Sequence, residues 1–482
     1  MVDLFNNITS LAKRRGFVYP GSEIYGGLAN TYDYGPLGVE LLRNIKNLWW
    51  DHFVTKREDM LGLDTNILMN PKVWEASGHT ASFTDAVVDC KECQNRKRAD
   101  HLIEEYFEGQ NKEIKVEGKT LDELDQIISE NKIPCPVCGK FNWTKARKFN
   151  LLFETHIGIV SKDKSLAYLR GEIAQGMFVN FKNILDTMSP KLPFGLAQSG
   201  AAFRNEITPG KFTFRTLQFN LAEFEYFFNP KEDLPAGRQG WEKLFESWKE
   251  EMWKWSTDIL HLKPENLRWR PHTDEERSHY SKRTEDIEYK YPFGFKELYG
   301  LAYRTDFDLK NHMEKSGVDL RYTDQQTGEK FIPHALEPTF GMDRTLLAIL
   351  FDTYHEEPAR NASQSDAGGE IDGKKRIVLK LPKHLAPYKA AVFPLVRNKE
   401  EITKKAREVF NLLKQSVSTV WDDRGNIGKR YFAQDEIGTP FCITIDYDTL
   451  QDNTVTVRDR DSMKQERVAI GTLKEYIQQH GS

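Results

Sequence analysis

The sequence predicts a mixed α+β chain, and three stretches of pattern carry that reading. Apolar residues at 41, 42, 45, 48 and 49 mark one face of a helix over 39–53. From 150 to 228 the pattern turns to short strands and loops. Within 218–228, Phe219, Leu221, Glu223 and Glu225 fall on one side of a partly alternating segment. Beyond 373, strand candidates at 377–381, 417–421, 441–446 and 454–458 interleave with a helix over 399–415. That helix turns Ile402, Ala406, Val409, Phe410 and Leu413 to one face, which indicates an α/β unit of about 110 residues. Strand-like segments at 305–309 and 337–340 lie between, and 425–439 reads as a turn-rich loop.

At 482 residues the chain is too long for one ordinary domain, and a length prior gives roughly three. A first domain over 1–355 is interrupted by a polar-rich insertion at 86–148 and by a second, rich in Trp and charge, at 229–291. Residues 356–373 read as a polar, small-residue linker and 374–482 as the C-terminal unit. Hydrophobic residues at 39% and aromatics at 12% exclude a disordered protein. With 68 basic against 72 acidic residues, any nucleic-acid contact must use local patches rather than global charge. No apolar run approaches the ~18–20 residues of a membrane span. The first residues also lack a basic segment followed by an apolar run. A soluble, cytoplasmic protein without a membrane partner is the expectation.

Cys90-x-x-Cys93 and Cys135-x-x-Cys138 offer four soft ligands on two tight turns, the pattern of a closed, structural Zn²⁺ site. Pro134, Pro136 and Gly139 favour the second turn. Between the pairs, Thr120-x-x-Glu123 is a capping-box signature opening a helix with Leu121, Leu124, Ile127 and Ile128 on one side. Cys442 stands alone in an apolar strand and reads as core.

Arg204 and Glu206, two apart on an expected strand, point to the same side. A guanidinium and a carboxylate side by side suit an adenine nucleotide: one forks onto a phosphate, the other accepts from the adenine amino group. After a loop containing Pro209 and Gly210, Arg215 can reach the outer phosphates and Phe219 can lie against a base. An isolated Arg-x-Glu is more often a surface pair. The context is what lifts this one.

Phe203-Arg204-Asn205-Glu206, Arg215-x-x-x-Phe219 and Gly341-Met342-Asp343-Arg344 together resemble motifs 2 and 3 of the class II aminoacyl-tRNA synthetases. The resemblance implies an antiparallel sheet flanked by helices, holding ATP in a bent form. It places Arg204 on the α-phosphate, Glu206 on the adenine, Phe219 stacked on the ring and Arg344 over it toward the γ-phosphate. Pro71 is a candidate for the proline of motif 1. Mg²⁺ accompanies the ATP, and Glu297 and Glu206 stand in stretches where a ligand could lie.

Longer segments narrow the family. Thr31-Tyr32-Asp33-Tyr34-Gly35-Pro36-Leu37-Gly38, Trp74-Glu75-Ala76-Ser77-Gly78-His79 and Ala302-x-Arg304-Thr305-Asp306-Phe307-Asp308-Leu309 are similar to the dimeric, eukaryote-like glycyl-tRNA synthetases. So is Arg430-Tyr431-x-x-Gln434-Asp435-Glu436-Ile437-Gly438-Thr439-Pro440. The resemblance implies activation of glycine with ATP, transfer to tRNA(Gly), a homodimer and a C-terminal anticodon-binding domain. It assigns the glycine ammonium to Glu172 and Glu337 and the glycine carboxylate to Arg304, with Thr339 beside the pocket. The family usually reads Arg-Pro-Glu-Thr where this chain has Arg170-Gly171-Glu172-Ile173, and Glu-Pro-Ser where Thr339 stands. In the C-terminal unit Lys374, Lys375, Arg376, Lys380 and Lys383 form one basic cluster and Arg424, Lys429 and Arg430 another. Arg430, Tyr431 and Phe432 are the planes available to stack on bases. Two other readings share parts of this pattern: a class II synthetase for a different amino acid, and a non-catalytic, synthetase-like nucleic-acid-binding subunit.

Overall fold

A computed structural model describes residues 2–481 apart from 113, 115, 117, 159–164, 207–209, 232, 235–237, 275, 279 and 361–369. Ile207, Pro209 and the centre of the expected linker lie outside the described residues.

The strands of the main sheet are β1 (Met60–Gly62), β2 (Phe194–Phe203), β3 (Gln218–Phe228), β4 (Leu267–Pro271), β5 (Arg283–Tyr291), β6 (Gly294–Thr305) and β7 (His334–Gly341). Among the described residues they form one seven-stranded sheet in the order β4-β5-β6-β7-β3-β2-β1. Every neighbouring pair is antiparallel except β1 with β2. The α+β architecture is the one the sequence indicates. The segment 229–291 departs from its reading as an insertion, because β4 and β5 are the outer strands of this sheet. Its Trp and charged residues hide the strand alternation: Arg283 and Glu285, paired with each other and Glu285 with Lys249, precede Ile287 on the same face, while Thr284 and Asp286 turn to the cavity.

Strand β3 shows why the site lies where it does. Phe224 and Tyr226 face Trp248, and Phe224 also meets Trp49 on the helix Pro36–Trp50. Phe227, on the opposite face, packs on Phe178 and Phe181 of the helix Ala174–Met188. Strand period two then sends Glu223 and Glu225 to the same side as Phe227. The helix Pro36–Trp50 starts on extended Gly35 with Pro36 in its first turn, buries Leu41, Leu42, Ile45 and Trp49, and widens into a π turn over Asp51–Thr55. The 305–309 segment is not a strand. β6 ends at Thr305 and the helix Phe307–Ser316 begins two residues later.

The stretch 356–373 also departs from expectation. β8 (Tyr354–Arg360) and β9 (Glu370–Leu379) pair antiparallel, so the described parts of the expected linker are the two arms of a hairpin. Beyond it β10 (Ala390–Pro394), β11 (Thr419–Trp421), β12 (Phe441–Ile445), β13 (Thr454–Asp459) and β14 (Gln465–Ala469) form a sheet in the order β11-β10-β12-β13-β14. The helix Glu400–Lys414 buries the five apolar residues its periodicity indicates. The expected loop 425–439 holds the helix Ile427–Ile437, capped by the Asn426 side chain and closed by left-handed Gly438. Its buried residues include Arg430, Gln434 and Asp435, so no apolar stripe announces it. Among the described residues no helix is long and apolar enough to cross a membrane.

Candidate active site and four-cysteine cluster

A cavity of about 240 Å³ opens over the middle of the main sheet, between β3, β6 and β7. Its lining falls into two groups: Glu172, Glu223 and Glu337 stand at one end, and Arg204, Arg215 and Arg344, with Glu206 and Glu297 among them, at the other.

The carboxylate end is built by register. Glu223 on β3 lies opposite Thr339 on β7, which lies opposite Gly300 on β6. The Thr339 hydroxyl donates to Glu223 Oε1 at 2.8 Å, so the hydroxyl that a serine would supply has a visible task. Glu337 accepts from Arg304 Nη1 at 2.7 Å. Glu172 accepts from Gln175 Nε2 at 2.9 Å and has His79 Nε2 at 3.2 Å. Arg304 does not face the cavity as its expected role on a glycine carboxylate requires. Only 1% exposed, it lies behind Glu337, with its Nε and Nη2 donating to Asp308 at 2.8 and 2.9 Å. The helix that replaces the expected 305–309 strand puts Asp308 within its reach. The Tyr280 ring covers the guanidinium at 3.9 Å. Gly171 sits so tightly that a Cβ there would meet Phe83 at 3.0 Å and Leu152 at 3.1 Å, which accounts for a small residue at that departure.

Charge is in excess here. Burial, reinforced by Glu337 and Glu172, pushes the Glu223 carboxyl up to about 8. Burial likewise raises Glu337 in spite of Arg304. Glu172 is the exception: burial opposes its ionisation, but His79, Arg304 and Gln175 outweigh it and hold the group below the usual carboxylate range.

At the arginine end, Arg204 and Glu206 do not share a strand, since β2 ends at Phe203. Both still reach the cavity. Arg204 lies over Phe219 and Phe83, at 5.2 Å from each ring, and donates through Nε to the Gly171 carbonyl at 3.0 Å. Glu206 pairs with Arg215 at 2.7 Å. Arg344 pairs with Glu297 at 3.0 Å and lies over the Phe214 ring at 4.5 Å. Each group expected to bind ATP is therefore at hand, with each carboxylate already neutralised by an arginine. Between the ends, Asp286 accepts from or donates to His272 at 2.7 Å, and burial raises it to about 6. Pro71 opens a short helix, Pro71–Ala76, away from this cavity's lining.

Sequence reasoning assigned no role to Glu223, His79, Asp308, Tyr280 or Asp286. For Glu223 a signal existed: two carboxylates two apart in an otherwise apolar strand. For Tyr280 and Asp286 none did, because the segment holding them looked like an insertion.

The four cysteine sulfurs lie within 4.8 Å of one another, with Cys90–Cys138 and Cys93–Cys135 both at 3.6 Å. Four sulfurs about 2.3 Å from one tetrahedral centre would stand about 3.8 Å apart, so the set fits a zinc-sized ion. Turns with left-handed Gln94 and Gly139 present the pairs. The Thr120 capping box forms as its sequence indicates. Cys442 is buried in β12.

In the C-terminal unit most residues of the basic clusters are paired with acids, while Arg424 and Lys429 stay exposed. Arg376 binds Asp435 and Glu357, Lys375 pairs with Glu356, Lys380 with Glu357, Lys383 with Asp459 and Arg424 with Asp422. The Lys374 side chain lies outside the described residues. Tyr431 is buried with its hydroxyl on Thr444, and Arg430 donates to the carbonyls of Pro394, Asp423, Arg424 and Gly425, so neither offers a face for a base.

Residues 389–480 match the family model of an anticodon binding domain, and 115–151 that of the glycyl-tRNA synthetase insertion domain 1. The chain is 49% identical over 474 residues to the glycine–tRNA ligase of Caldanaerobacter subterraneus subsp. tengcongensis, covering 98% of each protein. It is 50% identical over 477 residues to that of Geobacillus thermodenitrificans, covering 99% of this chain and 97% of the relative. The glycine–tRNA ligase of Alkaliphilus oremlandii is 51% identical over 471 residues, or 98% and 97%. With identity at this level along its whole length, the chain belongs to the glycine–tRNA ligase family.

Proposed function

We propose that the cavity makes glycyl-adenylate from glycine and ATP and then transfers the glycyl group to the 3′ end of tRNA(Gly). The observation that carries this reading is one cavity with three carboxylates at one end and, at the other, three arginines of which two are paired with Glu206 and Glu297. Glycine's ammonium would sit among Glu172, Glu223 and Glu337, with Thr339 orienting Glu223. Its carboxylate would then point toward the arginines and attack the α-phosphate of ATP. Pyrophosphate leaves, its charge met by Arg215 and Arg344, while Arg204 steadies the α-phosphate. Glu206 would take the adenine amino group, with Phe219 against the ring. The terminal ribose hydroxyl of the tRNA then attacks the glycyl carbonyl, and AMP departs. No side chain need act as a nucleophile, so positioning and charge neutralisation supply the catalysis.

Mg²⁺ would enter with ATP, adding positive charge at the phosphates. Glu297 is the carboxylate that becomes available once Arg344 turns to a phosphate. Arg304 is a positioning residue, holding Glu337 and Asp308. The four cysteines would hold a structural Zn²⁺ and tie the insertion together. A domain layout of a catalytic region over 1–355, a connector and an anticodon-binding unit over 374–482 fits this division of work, as does a homodimer.

Glycine-dependent ATP–pyrophosphate exchange, run beside alanine, serine and proline, tests the reading. Exchange with glycine alone is expected. Exchange with proline and not glycine would overturn the specificity, and none with any amino acid would favour a non-catalytic binding subunit.

A further inference from the structure

Glu225 is the one acidic residue around the carboxylate end that the proposed reaction leaves without a task. It is 0% exposed, and neither of its oxygens has a hydrogen-bond partner among the described residues. Register fixes its neighbours. Glu223 pairs with Thr339 and Tyr226 with Leu336, so Glu225 lies across from Glu337. On its other side it pairs with Leu196 of β2. Two carboxylates facing each other across an antiparallel pair repel, and burial removes the water that would screen them.

The charges facing Glu225 sharpen the point. Glu223 stands on its own strand, Glu337 on β7, Asp308 on the helix Phe307–Ser316 and Arg304 on β6. Beyond them lie Glu172 with His79, and Tyr280 over the guanidinium. Arg304 is the single arginine of the group, and three of its five N–H donors go to Asp308 and Glu337. None of its donors reaches Glu225.

We infer that Glu225 is carried as a neutral carboxylic acid behind Glu337, a positioning residue that fixes the charge of the ammonium subsite. The inference rests on the reading that glycine's ammonium binds among Glu172, Glu223 and Glu337. With Glu225 neutral, four carboxylates (Glu172, Glu223, Glu337 and Asp308) face Arg304 and the incoming ammonium. An ionised Glu225 would add a fifth with no cation to meet it, and sites in which like charges crowd resolve this by keeping a proton. The bound ammonium can draw Glu223 into its ionised form, since Glu223 lines the cavity. Glu225 does not line it and keeps its proton whether or not glycine is bound.

The test is Glu225→Gln, which keeps the shape and the neutral charge. At neutral pH its glycine KM in pyrophosphate exchange stays within about threefold of wild type, with ATP KM unchanged. As pH rises, only the wild type can ionise this position, so any separation of the two glycine KM curves is confined to the alkaline end. A tenfold or larger rise in glycine KM at neutral pH, with ATP KM unmoved, would show that Glu225 works as a charged group and overturn the inference. Curves that separate at or below neutral pH would overturn it as well. If the variant does not fold, infrared spectra of the glycine-loaded wild type decide instead. A protonated-carboxyl carbonyl band at neutral pH that shifts in D₂O is expected, and its absence would count against the proposal. Wild-type exchange with a different amino acid would be a failure of the glycine reading, visible before any variant is made.

Discussion

Two buried ion networks in this molecule are near mirror images. In the main sheet one arginine, Arg304, meets Asp308 and Glu337, with Glu172 at 3.9 Å. In the C-terminal unit one aspartate, Asp435, meets Arg376 at 2.7 Å and Arg458 at 2.9 Å. Both hubs are at most 1% exposed. They differ in what surrounds them. Around Asp435 the surplus donors of the arginines find backbone carbonyls or further acids, as when Arg376 reaches the Arg460 carbonyl and Glu357. Around Arg304 one oxygen of Glu223 lacks a partner among the described residues, and Glu223 lines the cavity, with the uncharged Glu225 packed behind. A satisfied network is scaffold. One left with unmet charge next to a cavity is waiting for a ligand.

Four measurements can break or sharpen that contrast. The largest effect should come from Arg304→Met, which strands buried carboxylates. Glycine-dependent exchange per folded molecule falls by about 100-fold, because Glu337 loses the contact that positions it. Asp435→Asn is its counterpart in the scaffold. Urea unfolding should lose about 3–5 kcal/mol of stability while exchange per folded molecule stays at the wild-type level. If Asp435→Asn lowered exchange in folded protein, the two networks would not be separable. Next comes Thr339→Val, which removes the hydrogen bond to Glu223. It should raise glycine KM about tenfold, the worth of a hydrogen bond to a charged group, whereas Thr339→Ser stays near wild type.

The smallest effect is on pH. Glu223 is raised to about 8 in the folded protein, so the folded state binds a proton that the unfolded chain releases near the ordinary carboxylate value. Its contribution to stability is therefore present at acid pH and is lost as pH climbs toward 8. Glycine, by supplying an ammonium, should raise the melting temperature more at pH 8 than at pH 6. Glu223→Gln should flatten that difference. An equal glycine shift at both pH values would remove Glu223 from the ammonium subsite.

The contrast also explains what the sequence made legible. The positions expected to bind ATP, Arg204, Glu206, Phe219 and Arg344, could be named because they stand at the spacing of the class II motifs, and all of them reach the cavity. The helix Glu400–Lys414 was legible from its apolar stripe. The helix Ile427–Ile437 was not, because its inward face mixes Arg430, Gln434 and Asp435 with Tyr431 and Ile437, and buried polar residues satisfied by other elements carry no hydrophobic period. The same blindness turned β4 and β5 into an insertion, since their charged faces mask the alternation beneath. It gave Arg304 to the substrate when its fork is already filled from the helix that follows it. Pattern reading finds residues that face water or oil. Residues that face each other need coordinates.

The hairpin of β8 and β9 bears on how the two ends of the chain communicate. β9 delivers Arg376 to Asp435, while Arg14 and Arg15 of the N-terminal helix Val2–Arg15 grip Glu436 next to it. The connection is thus a strut and not a tether, clamped from two sides at the helix Ile427–Ile437. A tether would only raise the local concentration of one part near the other. A strut would pass displacement along its paired arms, and the near end of the hairpin, residue 354, is where the helix Met342–Thr353 carrying Arg344 ends.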